Sequence, residues 1–231
     1  MSGPGGEHID LWVIDLDQWA ASSLDPTLLT ERDREQARRL RSPGGGGRLL
    51  ARRSATRAVL GRSLGAEPAG LAISRRCPTC GADDHGAPFL EGRPEQFSVS
   101  SCGGVAVVAV SGSAVGVDVE TVSTERTAPL PRAAMVNGEQ RALDALPEED
   151  HGPAFLRLWT IKEAALKAGG RSLADDPATI DATQLLTADA GVVDDGSHRW
   201  HVRLLDVDHP VGGPVILALA DEHGLPVVRR S

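Results

Sequence analysis

The middle of the chain constrains its fold most. Residues 105–120 read VAVVAVSGSAVGVDVE. The apolar, β-branched run at 105–110 is the pattern of a buried strand. Small and polar residues at 111–114 make a turn, and 115–120 form a second strand in which valine alternates with other residues. Alternate residues of a strand share a side, so Asp118 and Glu120 project together while Val117 and Val119 face the core. Two carboxylates this close repel unless a cation lies between them. An all-oxygen donor set favours Mg²⁺, which binds through a few carboxylates together with phosphates. The same alternation is also what the outward face of an ordinary half-exposed strand produces.

Helices and strands surround this centre. Residues 9–16 read as a first strand, and Asp25-Pro26 opens a helix running to about residue 40. SPGGGG at 42–47 is a flexible break before a second helix at 48–64. A loop spans 77–88, a short strand 97–100, and an irregular segment 121–134. Asn137 is expected to cap a helix over 138–146, ended by Pro147. A long helix over 151–168 stops at Gly169-Gly170. Strands at 200–207 and 215–220 close the chain. Strands flank helices in each half, which predicts an α+β fold.

Charge is distributed unevenly. The chain has 231 residues, enough for a sizeable core, and a net charge of −8, which argues against general nucleic-acid binding. Yet residues 31–62 hold ten arginines and three acidic residues, a local charge of +7. A basic face on an acidic protein suits a small anion better than a duplex. A helix surface laced with Glu–Arg pairs would read the same way. No basic region precedes an apolar segment at the N-terminus, and no apolar stretch is long enough to span a bilayer, so a soluble cytoplasmic protein is expected. Three cysteines fit a reduced compartment. Cys77-x2-Cys80 with His85 has zinc-knuckle spacing but lacks a second pair of ligands.

The long helix carries WTIKEAALK at 159–167. Glu163 and Lys167 are four apart and share a face, as common surface pairs do. However, Lys162 and Lys167 are the only lysines in an arginine-rich chain. A compact ammonium that can release a proton differs chemically from a guanidinium.

Together, VGVDVE at 115–120 and WTIKEAALK at 159–167 resemble the paired signature of the Sfp-type 4′-phosphopantetheinyl transferases, in order and at the family's spacing. FSVSSCGG at 97–104 is similar to the family's F-x-x-S-H-S-G segment, HGAP at 85–88 to its G-K/R-P turn, and the helix around Arg53 to its arginine-bearing first-half helix. The resemblance implies two similar α+β halves related by a pseudo-two-fold, with the site between them. The N-terminal half, 1–112, would bind CoA phosphates; the C-terminal half, 113–231, would carry the metal strand and the catalytic helix.

The implied reaction moves the 4′-phosphopantetheine arm of coenzyme A to a serine of an acyl- or peptidyl-carrier protein of secondary metabolism, as in polyketide and nonribosomal peptide synthesis. The other product is adenosine 3′,5′-bisphosphate. By the same resemblance, Asp118, Glu120 and Glu163 would hold Mg²⁺, Glu163 would take the serine proton, and Lys167 would contact phosphate and serve the leaving group. Arg48, Arg53, Ser100, Ser101, Asp118, Lys162 and Lys167 would contact CoA, and Trp159 would pack beneath the motif. A monomer is the default expectation, with neither nucleic acid nor membrane as partner.

Two positions depart from the pattern. Ser101 stands where the family has histidine, and Ala87 where it has lysine or arginine. Both remove positive charge from the expected CoA side, although Arg93 lies nearby. The departures leave two alternatives open: a CoA- or carrier-binding protein with weak or no transfer, or an enzyme repurposed to another phosphorylated or thioester substrate.

Overall fold

A computed structural model describes residues 7–77, 80–83, 86–122, 131–171, 177–207 and 214–230. The first half contains β1 (Ile9–Asp15), α1 (Leu16–Ser22), α2 (Glu31–Arg39), α3 (Gly45–Leu64), β2 (Ile73–Arg76), β3 (Ala87–Leu90), β4 (Gln96–Cys102) and β5 (Val105–Ser111). The second contains β6 (Val115–Thr121), α4 (Asn137–Asp144), α5 (Glu148–Ala168), β7 (Ala190–Asp194), β8 (Arg199–Leu205), β9 (Val215–Asp221) and β10 (Val227–Arg230).

The strands form sheets of order β10-β1-β5-β4 and β6-β9-β8-β7, with β2-β3 as a separate hairpin. The halves share a plan. In each, the first strand pairs antiparallel with β5 or β9, which pairs in turn with the strand before it. The α+β architecture with two sheet-containing halves is therefore as expected.

Four layers account for the apolar runs. Trp12, Ile14, Ala106, Val108 and Val110 face Ala51, Ala55, Val59 and Leu60 of α3. The intervening residues Ile9, Leu11, Val105, Val107 and Ala109 meet Val115, Val117, Val119, Leu217 and Leu219 of the second sheet. The opposite face of that sheet packs on Leu158, Ile161 and Ala165 of α5. Strand β5 is thus covered on both sides, which is why its sequence does not alternate. Burying a branched side chain of this size contributes roughly 1.5–3 kcal/mol.

Several boundaries differ from the sequence reading. The expected helix over 25–40 is broken: Pro26–Leu28 forms a 3-10 turn, and Thr30 caps α2 through a reciprocal capping box with Asp33. Helix α3 starts inside the glycine run, at Gly45. Glycine is needed there because a Cβ on Gly46 would lie 2.8 Å from the Ala37 carbonyl oxygen of α2. Asn137 is the first residue of α4 rather than its cap; Glu139 satisfies the Val136 N–H at 3.0 Å. Helix α5 begins at Glu148 and accommodates Pro153 in its second turn.

The short strands β2, β3, β7 and β10 carry little alternation and escape a sequence reading. Strand β10 matters most, because it returns to pair in parallel with β1 in the first sheet. The C-terminal end of the expected 113–231 half therefore completes the N-terminal sheet.

Candidate active site

The chemistry-bearing residues converge where the two sheets meet. Strands β4 and β6 are sheet edges, and side chains of β4 hold β6. Ser98 Oγ accepts from the Val117 amide at 3.1 Å, and Cys102 Sγ accepts from the Thr121 amide at 3.3 Å. Between them, Ser100 Oγ donates to Asp118 Oδ1 at 2.7 Å. The carboxylates of β6 face α5, which comes unusually close: a Cβ on Gly116 would lie 1.9 Å from the Ala164 carbonyl oxygen. The glycine of VGVDVE is therefore a packing requirement that seats Glu163 and Lys167 against Asp118.

Lys167 Nζ lies 2.6 Å from Asp118 Oδ1, 3.2 Å from Ser100 Oγ and 4.0 Å from Glu163 Oε2. Asp118 and Glu163 are buried, yet among the described residues Asp118 Oδ2 and Glu163 Oε1 have no hydrogen-bond partner. Burial pushes the Glu163 carboxyl up to about 7; Lys167 opposes the shift, while Asp118 and Glu120 add to it.

This cluster opens into a cavity of about 490 Å³ lined by Asp118, Glu120, Trp159, Glu163, Lys167 and Arg171, with Arg52, Arg75, Pro88, Phe97 and Val99 on its other wall. Those last five residues also line an adjoining cavity of about 310 Å³, where Arg32, Arg53 and Arg57 join them. The two cavities form one groove, with carboxylates at one end and guanidinium groups at the other. Trp159 stacks on Phe155 and packs against the core while lining the groove.

Asp118, Glu120, Glu163, Lys167 and Arg53 lie in the groove. Ser100 acts behind Asp118, and Ser101 accepts from Arg52 Nη1 at 3.0 Å. Two residues expected to contact CoA lie apart from the groove. Lys162 points away from the groove and is sealed against Glu139 at 2.6 Å, because five residues along a helix turn a side chain to a different face. Arg48 is exposed and pairs bidentately with Asp17 at 2.9 Å, outside both cavity walls.

Sequence reasoning did not single out Arg32, Arg52, Arg75 or Arg171. The charge of the 31–62 segment pointed to Arg32 and Arg52 collectively, Arg57 belongs to the arginine-bearing helix around Arg53, and nothing marked Arg75 or Arg171. Among the described residues, no three His, Cys, Asp or Glu side chains gather closely enough to hold a metal. Cys77 is buried and Cys80 exposed, while His85 lies outside the described residues. Among the described residues, no helix is long and apolar enough to cross a membrane.

An α+β protein whose two halves frame a groove with cationic walls and a carboxylate–lysine end is equipped to bind and cleave a phosphate ester. Comparison with known proteins gives the family. The 4′-phosphopantetheinyl transferase superfamily profile matches residues 114–220. The chain is 30% identical to the 4′-phosphopantetheinyl transferase HetI of Nostoc sp., over 73% of this chain and 71% of that protein. It is 25% identical to a 4′-phosphopantetheinyl transferase of Bacillus subtilis, over 76% of this chain and 75% of that one. The chain belongs to the 4′-phosphopantetheinyl transferase superfamily and is an enzyme of that kind.

Proposed function

We propose that the protein transfers the 4′-phosphopantetheine arm of coenzyme A to a serine hydroxyl of an acyl- or peptidyl-carrier protein, leaving adenosine 3′,5′-bisphosphate. The observation that carries this reading is the continuity of the groove. A nucleotide held among the guanidinium groups would extend its pyrophosphate toward Asp118, Glu120, Glu163 and Lys167.

The donors are hard oxygens of the kind a divalent cation takes, but among the described residues they are not gathered into a preformed three-carboxylate cage, so a cation would need substrate phosphate oxygens to complete its shell. The set comprises three carboxylates, two of which retain a buried oxygen without a partner among the described residues. Asp118, Glu120 and Glu163 would hold Mg²⁺, which neutralises pyrophosphate charge when bound. Glu163 has the character of a general base, because a carboxyl near 7 accepts a proton more readily than an ordinary glutamate. It would take the proton of the attacking serine Oγ directly or through one water. Lys167, one turn on, would meet the phosphate and stabilise charge as the phosphate–oxygen bond to the leaving nucleotide breaks. Ser100 and Lys167 together orient the Asp118 carboxylate.

Intact-mass spectrometry of an apo carrier protein incubated with the enzyme, CoA and Mg²⁺ tests the reading. The expected result is a gain of one phosphopantetheine that disappears in EDTA. No gain with several acyl- and peptidyl-carrier proteins would overturn the substrate assignment.

A further inference from the structure

Three features outside the acid–base cluster stand out: the pocket between Trp12 and Trp19, the cysteines Cys77 and Cys80, and the junction of the two cavities. Only the junction carries a ligand argument through to a test. Arg52 and Arg75 belong to the wall shared by both cavities. Their neighbours Arg53 and Arg57 share the single carboxylate of Asp33, at 3.3 and 3.5 Å. Among the described residues, no carboxylate forms an ion pair with Arg52 or Arg75. Arg75 Nη1 donates to the Gly86 carbonyl at 2.8 Å, and Arg52 Nη1 donates to Ser101 Oγ at 3.0 Å. Both are neutral acceptors, so among the described residues neither guanidinium has a carboxylate in direct contact, and Asp33 only partly offsets the charge around Arg75 from a distance.

We infer that Arg52 and Arg75 clamp a phosphate of the bound nucleotide at the cavity junction, and that Ser101 is a positioning residue that aims the Arg52 guanidinium at that phosphate. Burial together with neighbouring guanidinium groups lowers the proton affinity of both, and Arg75 falls to about 10. Cations held at such cost indicate a site completed by an anion. A guanidinium has five donors in a rigid fork, so one N–H on Ser101 leaves others free for two phosphate oxygens. The Ser101 hydroxyl fixes the rotation of a long side chain that would otherwise lose entropy on binding.

The inference rests on the CoA reading, and calorimetric titration of the metal-free protein with CoA alone separates the two. Wild type must bind CoA; if it does not, the CoA reading fails with the clamp. Arg52→Met keeps the aliphatic stem and should weaken CoA binding about 10- to 100-fold, the range for losing a charge-assisted hydrogen bond. Arg52→Lys should recover only part of this, because an ammonium lacks the fork. Ser101→Ala should weaken binding several-fold in wild type and have no further effect in Arg52→Met. That dependence on Arg52 is the readout a merely structural serine would not give. Thermal melts of each variant confirm that it is folded. Wild-type affinity in folded Arg52→Met would overturn the clamp. Equal losses from Ser101→Ala in both backgrounds would overturn the positioning role.

Discussion

The chain has two lysines, five residues apart on one helix, and their surroundings are opposite. Lys162 is sealed in the core, where its ammonium meets Glu139 Oε2 at 2.6 Å and the Ala134 carbonyl at 2.9 Å. Glu139 in turn accepts from the Val136 and Ala182 amides. Every polar atom there has a partner, and the pair ties α4 and the segment at 182 to the back of α5. Lys167 stands at the groove wall, where Asp118 and Glu163 each keep one oxygen without a partner among the described residues. A complete network holds structure, whereas an incomplete one has capacity left for a ligand and a proton. Adjacent Glu163 shows the same division: its backbone lies in a helix pinned by Lys162, while its side chain enters the groove.

Substitutions on the two sides should separate accordingly. On the open side, Glu163→Gln should lower the transfer rate about 10²- to 10⁴-fold while leaving the melting transition intact. Carrier mass gain against time measures the rate, and a near-wild-type rate would remove Glu163 from the base role. On the sealed side, Lys162→Met should destabilise the fold by about 3–5 kcal/mol, because Glu139 is left charged in the core. Denaturant unfolding measures this. Unchanged stability with a raised KM for CoA would instead favour Lys162 as a CoA contact.

The open side should also be pH-sensitive in metal-free protein. Folding raises the Glu163 pKa from 4.5 to about 7, so the folded chain holds the proton more tightly than the unfolded one. The resulting contribution is fully present below about 4.5 and is lost as pH rises toward 7, amounting to no more than about 3 kcal/mol. Denaturation midpoints of Glu163→Gln should be less pH-dependent over this window than those of wild type. Gly116→Ala should destabilise by about 1–3 kcal/mol, since its methyl group meets the α5 backbone, and it should displace the lysine side of the site. The smallest effect is expected at Arg48. Arg48→Ala breaks an exposed pair, should cost less than about 1 kcal/mol, and should leave CoA affinity unchanged.

Much of the site was legible in the sequence because its residues are local. Period-two spacing places Asp118 and Glu120 on one side of a strand, and period-3.6 spacing places Glu163 and Lys167 on one helix face. The Thr30 capping box was legible in principle, since Thr and Asp stand three apart, but the proline-led pattern before it suggested one longer helix. Lys162 and Arg48 show the limit of motif spacing. Membership of a motif does not say which face of the helix meets solvent, core or groove.

The strand and helix that carry the candidate acid–base groups, the doubly buried β5 and the α+β class are written in the chain's local repeats, because each follows from the periodicity of one element. Which arginines share a wall, which lysine is sealed, and that β10 returns to the first sheet emerge from packing alone. Those facts depend on contacts between distant segments, such as Arg52 with Ser101 or Lys162 with Glu139, whose partners leave no periodic signal along the chain.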